Sequence, residues 1–435
     1  MTDLISSSPR WNALQKIAFR FFFIYFLFYS SPWDVLNIIP GIGYLIELYN
    51  QGVEWIVIKA NAHLFRVFGI KEVKQVFNGS GDTSYQWALH CFLLSLAVIG
   101  AAIWSILDHR SNHYRSLNYL LCLFLRYSLA LIAFSYGIQK IFALQMPFPS
   151  YSQLATPLGD YLPMRFSWLF IGYSTPYQVF SGILEVIVAL LLLYRRTASF
   201  GVMIATAVFI NVMMLNLCYD IPVKLYSMSL VLMCGYLLAN EYRRLSCFFV
   251  LNKPASGCSI YHYPLTKKWM RIARIVIKLW IVFLLCKSAY ETYDYYKENQ
   301  LVKDHKDLKP GVYDVSRYTL SNDSLPVVQP DSLQWKDFII DRGTNGSIAT
   351  KDTLFRQRYG RGYFYFEADS SNQPVIHFYK ADRNFLSLHY RITDSSTIQL
   401  WGKKYNDSLF VELKKSTRHF PLTERQFHWV SEANR

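Results

Sequence analysis

Apolar residues form long unbroken runs over the first two-thirds of the chain and short alternating stretches over the last third. The long runs, of which FFFIYFLFY is the first, suit helices that cross about 30 Å of hydrocarbon at 1.5 Å per residue. Seven are long enough, at about 14–31, 86–107, 118–140, 176–194, 197–216, 221–240 and 270–289. The alternating stretches begin after the polar segment 291–310, which reads as a helical stalk. They are GVYDVSRY, QWKDFII, GYFYFEA, PVIHFYKA, LSLHYRI, TIQLWGK and SLFVELKK, with turn sequences such as DRGTNGS, SSNQ and KKYND between them. A period of two marks strands with one buried face, and seven or eight at this spacing predict an antiparallel barrel or sandwich. The expected fold is therefore a membrane all-α helical bundle followed by an all-β domain.

The connectors orient the runs. Arg10, Lys16 and Arg20 precede the first, and Arg110 and Arg115 separate the second and third. Arg195 and Arg196 join the fourth to the fifth, and a cation-rich stretch from Arg243 to Arg274 joins the sixth to the seventh. Alternation puts all four groups on one side, which the positive-inside rule makes cytoplasmic. Lys59, Arg66, Lys71 and Lys74 then fall outside, and an odd number of crossings puts the β-domain outside as well. The expected location is the cytoplasmic (inner) membrane, with a cytoplasmic N-terminus and a periplasmic C-terminal domain. The segment 32–75, with Trp33, Trp55 and a PGIG turn, reads as an interfacial or re-entrant helix pair. A single crossing there would reverse the assignment of the C-terminal domain.

Composition narrows the classes. The 435 residues are 52% hydrophobic and only 17% charged, and 32 Tyr and 31 Phe raise the aromatic share to 17%. A soluble domain runs nearer 25% charged, and aromatics favour membrane interfaces. The net charge of +15 is explained by cytoplasmic loops, and no base-reading module accompanies it, so nucleic acid is not an expected partner. The seven cysteines form no CxxC and no zinc spacing, and the β-domain has none. His262, His377, His389, His419 and His428 are too scattered to argue a metal site, and no HExxH, Walker or GxSxG motif occurs.

Ionisable groups inside an apolar run are costly and mark function. Arg126 lies roughly 12 Å into the third run and Glu185 roughly 13 Å from the inner end of the fourth, counted at 1.5 Å per residue. Opposite charges at equal depth on successive helices predict a pair, serving either as a proton or redox site or as a structural lock. Lys278 lies near the inner end of the last run, where it can snorkel. A second group, Lys140, Asn211, Asn216, Asp220 and Lys224, gathers at the outer ends. It reads either as a polar pocket or as a Pro222-started helix capped by Asp220. Gly137 and Gly182 are candidates for close helix packing. His90 reads as an interfacial polar residue.

The stretches LRYSLALIAFSYGIQKIF, with Arg126, Gly137 and Lys140, and GILEVIVALLLLYRR, with Gly182, Glu185 and Arg195, resemble the DoxX family of small four-helix membrane proteins. With YDIPVKL and FHWVSEANR, the chain is similar to large DoxX-like proteins of Bacteroidota. The resemblance covers 119–245. It implies a four-helix core, with Arg126, Lys140 and Glu185 at the family's polar positions, and a quinone-linked redox or oxidative-stress role.

The chain is thus expected to divide into N-terminal spans with an outer-face segment (1–117), a DoxX-like core (118–245) and a cytoplasmic loop with the last span (246–290). A linker (291–310) and a non-cytoplasmic β-rich domain (311–435) follow. A barrel of about eight strands holds either one small ligand, as lipocalins do, or a filled interior; the filled interior is the favoured expectation. Three functions remain open: a quinone-linked redox subunit, a non-catalytic membrane scaffold or envelope-assembly protein whose outer domain binds another membrane or periplasmic protein, and a transporter or lipid-handling protein.

Overall fold

The computed structural model describes residues 11–33, 41–254, 267–321, 334–369, 374–380, 383–424, 428–430 and 432. Pro40 of the PGIG turn, the SSNQ turn, Cys258 and His262 lie outside the described residues. The chain folds as two units, one of residues 1–141 with 180–290, the other of residues 142–179 with 291–435.

The first unit is helical. It contains α1 (Ala13–Ser30), α2 (Ile42–Ala60), α3 (Ser84–Leu107), α4 (Arg115–Ile141), the greater part of α7 (Thr175–Leu193), α8 (Ala198–Cys218), α9 (Lys224–Asn240), α10 (Tyr242–Phe249) and the first two-thirds of α11 (Lys268–Leu301). Five of these, α1, α3, α4, α7 and α8, are long and apolar enough to cross a membrane. The sixth and seventh expected runs are helices too. However, α9 has only 17 residues, and α11 opens with Lys268, Arg271, Arg274 and Lys278. Isoleucine, valine and phenylalanine side chains stand exposed along α3 and α11, including Ile103, Ile106, Ile275, Val276 and Phe283. Such faces are a liability in water and suit contact with lipid.

The bundle core is built on small residues that let helices close up. Ala130, Ala133 and Gly137 form a stripe on α4, beside Ala189 of α7, Ala205 of α8 and Cys234 of α9. Phe26 of α1 and Leu125 and Leu129 of α4 fill the space between them. At one end Arg20 is buried and ties α1 to α3 and the following loop. It donates to Ser105 Oγ at 2.7 Å, to the Asp108 carbonyl at 2.7 Å and from Nε to the Tyr114 hydroxyl at 3.1 Å.

Among the described residues of the expected outer-face helix pair, 32–75, the long element is a 19-residue helix, α2, which ends in a π-turn, Asn61–Phe65; residues 34–40 lie outside the described residues. Asn61, fully buried, closes the loop that follows by donating to the Ile70 and Lys71 carbonyls and accepting from the Val67 amide.

The second unit holds an antiparallel barrel of β1 (Gly311–Ser321), β2 (Asp337–Ile340), β3 (Asn345–Ile348), β4 (Arg356–Arg358), β5 (Arg361–Asp369), β6 (Val375–Lys380), β7 (Arg383–Ile392), β8 (Thr397–Lys404) and β9 (Asp407–Lys415). Eight strands close in sequence order, because β9 pairs back onto β1 and β3 pairs with β5, while the short β4 flanks β5. Alternation turns Phe338, Ile340, Ile348, Phe364, Phe366, Phe378, Leu388 and Leu400 inward. Phe338, Phe355, Phe364 and Phe378 contact one another ring to ring, with Trp335 against Phe355. An eight-stranded barrel is just wide enough to be filled in this way.

Residues 142–179 belong to this unit. They carry α5 (Tyr151–Leu154) and α6 (Pro163–Tyr173), and the start of α7 follows. The Ser152 amide donates to Asp341 Oδ1 at 3.0 Å, and the Ser347 hydroxyl donates to the Ser152 hydroxyl at 2.6 Å. Arg361 holds Ser347 through Nε at 2.9 Å and grips Asp337 with both terminal nitrogens. Ala155 packs with Val312 and Ile339 on the outside of the barrel wall.

Candidate functional site

The charged groups on the long apolar helices are placed by helix packing. Gly137 and Gly182 bring α4 and α7 together so closely that a β-carbon on either would meet the other's carbonyl oxygen, at 2.8 Å and 2.6 Å. One turn beyond Gly137, Lys140 reaches back along the interface and its ammonium pairs with Glu185 Oε1, with both side chains buried. Glu185 Oε2 has no hydrogen-bond partner.

Glu185 therefore meets Lys140, where the depth count paired it with Arg126. That count takes the inner ends of the two helices, the start of α4 and the end of α7, to lie at one level. The glycine crossing fixes the true stagger, with residue 137 opposite residue 182. Arg126 then lies three turns below the crossing, about 16 Å away at 1.5 Å per residue, and Glu185 only about 5 Å below it. Arg126 instead lies over the Tyr127 ring, 4.9 Å from its centre, and lines a separate cavity of about 940 Å³.

The outer group also separates. Lys140 is engaged with Glu185, and Asn211 is exposed on α8. Asn216 is buried at the end of α8, where its side-chain amide faces the Val223 carbonyl at 3.5 Å. Lys224 joins Asp220 at 2.7 Å and Asp82 at 3.6 Å. Asp220 does not cap the helix: it adopts φ of 50°, and its side chain is 80% exposed. The cap comes from Asp82, whose two carboxylate oxygens accept from the Lys224 amide at 2.8 Å and the Leu225 amide at 3.0 Å. Pro222 lies in the preceding turn, two residues before α9 begins. Lys278 is exposed on α11.

A larger cavity of about 1200 Å³ opens among α1, α2, α3, α4 and α9, with Tyr29, Tyr85, His90, Ser128 and Tyr226 among its lining side chains. His90 Nδ1 bonds the Gln86 carbonyl at 2.9 Å, so this nitrogen carries the proton. Its Nε2 is buried with no partner, and in the neutral ring it is an acceptor. The Tyr29 ring stands edge-on to the imidazole at 5.5 Å. The sequence reading of His90 as an interfacial polar residue gave it no site role, because one histidine near a helix start carries no spacing signal. Asp82 was missed as well, since its partner lies 142 residues away. Among the described residues no group of three His, Cys, Asp or Glu side chains has metal-binding geometry.

Comparison with known proteins yields one partial likeness. The chain is 39% identical over 83 residues to the Bacillus subtilis (strain 168) "Uncharacterized protein YwoB", a stretch covering 19% of this chain and 54% of that protein. The chain spans about half the length of this curated relative. No family model matches, and no solved structure matches.

Proposed function

We propose that this is a polytopic protein of the cytoplasmic membrane whose helical bundle binds a lipid-soluble ligand of the quinone class in the cavity around His90. One observation carries the reading: His90, whose buried imidazole Nε2 has no partner, lines a cavity of about 1200 Å³ together with Tyr29, Tyr85 and Tyr226. An unmet buried polar atom costs free energy unless a ligand or water supplies the missing bond. Because Nδ1–H is committed to the Gln86 carbonyl, neutral His90 seeks a hydroxyl donor, as a quinol presents. The protonated ring instead suits a quinone carbonyl. The same nitrogen can thus meet either redox form of such a ligand, as acceptor from the quinol hydroxyl or as donor to the quinone carbonyl, and the aromatic walls suit its ring.

The resemblance of residues 119–245 to the DoxX family supports placing the protein in a quinone-linked redox or oxidative-stress complex. The clustering of cations on alternate connectors supports a cytoplasmic N-terminus and a periplasmic barrel. A second reading, a scaffold whose barrel docks a partner, is favoured by the filled barrel interior, which leaves recognition to the outer surface.

The test is binding of decylubiquinol to the purified full-length protein in detergent, followed by tryptophan quenching. Wild type is expected to bind saturably, and His90→Leu at least tenfold more weakly at unchanged folded yield. Absence of saturable binding by wild type removes the reading.

A further inference from the structure

The second cavity, of about 940 Å³, is lined by six arginines: Arg115 and Arg126 of α4, Arg195 and Arg196 of the α7–α8 connector, and Arg243 and Arg244 of α10. Glu241 is the carboxylate beside them, and it is engaged with Arg244 at 3.5 Å. The cavity therefore keeps a large excess of positive charge. Cationic connectors alone account for charges at loop ends, but not for their convergence on one cavity. Nor do they account for Arg126, which sits about 16 Å along α4 from Arg115 at 1.5 Å per residue. Its Nε is buried with no hydrogen-bond partner. A guanidinium held at that depth is costly unless an anion reaches it. Leu123, Val202 and Leu237 line the same cavity, so its lining is apolar as well as charged.

We propose that this cavity binds the phosphate group of an anionic amphiphile, with the apolar chain against the leucine and valine wall and the phosphate among the guanidinium groups. Arginine suits the task because its planar fork bonds two phosphate oxygens at once. The site is separate from the His90 cavity and stands or falls independently of it. The phosphate can come from a membrane phospholipid or from a soluble phosphate compound.

The experiment measures thermal unfolding of the purified full-length protein in neutral detergent, with added phosphatidylglycerol, phosphatidylcholine or inorganic pyrophosphate. Phosphatidylglycerol is expected to raise Tm by several degrees more than phosphatidylcholine. Arg126→Gln and Arg196→Gln should each remove at least half of that difference, while Lys253→Gln, which deletes a loop cation outside the cavity, leaves it intact. An equal rise with pyrophosphate supports the phosphate site and assigns it a soluble ligand. Should Arg126→Gln fail to fold, the exposed Arg196 decides the matter alone. No preference for either phosphate probe, or a preference that survives Arg196→Gln, overturns the proposal.

Discussion

A β-carbon on Gly137 would fall 2.8 Å from the carbonyl oxygen of Gly182, so α4 and α7 touch backbone to backbone just where Lys140 and Glu185 meet. The two features depend on each other. Only at this separation can the lysine fold back along the interface and find the carboxylate. Gly137→Ala or Gly182→Ala should push the helices apart and cost about 1–3 kcal/mol, as overpacking does. Thermal unfolding in detergent reads this, and an unchanged Tm in both variants would show that the helices are not in contact.

Removing one charge of a buried pair is worse than removing both, because the survivor is left without compensation. Glu185→Gln and Lys140→Met should each destabilise the bundle by about 3–5 kcal/mol, and the double variant should recover most of the loss. Arg126→Met combined with Glu185→Gln should be additive to within about 0.5 kcal/mol, since the two residues do not touch. A large coupling between Arg126 and Glu185 in that cycle would restore the pairing inferred from depth and contradict the glycine crossing.

The start of α9 offers a comparison of two aspartates. Asp82 accepts two backbone hydrogen bonds there, whereas Asp220 makes one exposed ion pair with Lys224. Asp82→Ala should cost about 1–2 kcal/mol, the range of a lost helix cap. Asp220→Ala should cost no more than about 1 kcal/mol, as surface pairs do. Side-by-side unfolding of the two variants checks the order, and a larger loss for Asp220→Ala would reverse the assignment of the cap.

Features that repeat along the chain were legible in the sequence, and features that depend on meetings between distant segments were not. Runs such as FFFIYFLFY and GILEVIVALLLL mark helices because apolar length alone is the signal. The alternation in GYFYFEA and TIQLWGK marks strands, and their number points to a barrel or sandwich, which the closing pairs of β1 with β9 and β3 with β5 resolve as a barrel. Gly137 and Gly182 were visible as packing positions. The partner of Glu185 was hidden because counting inward from a helix end gives depth only when neighbouring helices start level. The membership of 142–179 in the second unit was hidden for another reason. Its proline- and serine-containing start, MPFPSYSQL, has no helical period, and what holds it is Asp341 and Ser347, almost two hundred residues later.

The barrel carries its own pH signature. Lys404 and Asp352 form an ion pair at 2.7 Å with both side chains essentially unexposed, and the Lys404 ammonium also donates to the Tyr318 hydroxyl at 3.2 Å. Burial alone would lower the lysine, but the hydrogen bonds and charges of Asp352 and Tyr318 outweigh it and hold Lys404 above its usual value near 10.5. Burial pushes the Tyr161 phenol up to about 12. Both groups are raised in the folded state, so both contributions are complete below the unfolded values near 10 and are lost as pH rises beyond them. The barrel should therefore hold to about pH 10 and lose stability steadily above it. Fluorescence during denaturant unfolding of the full chain at pH 8, 10 and 11, to which Trp335, buried against Phe355, contributes from the barrel, follows this. Lys404→Met should weaken the barrel at pH 8 by about 3–5 kcal/mol, because Asp352 is left buried and unpaired. The variant should also show a shallower decline toward pH 11, since the raised ammonium is gone. A wild-type barrel as stable at pH 11 as at pH 8 would mean that neither Lys404 nor Tyr161 couples to folding, and a variant with an unchanged alkaline slope would mean that Lys404 does not.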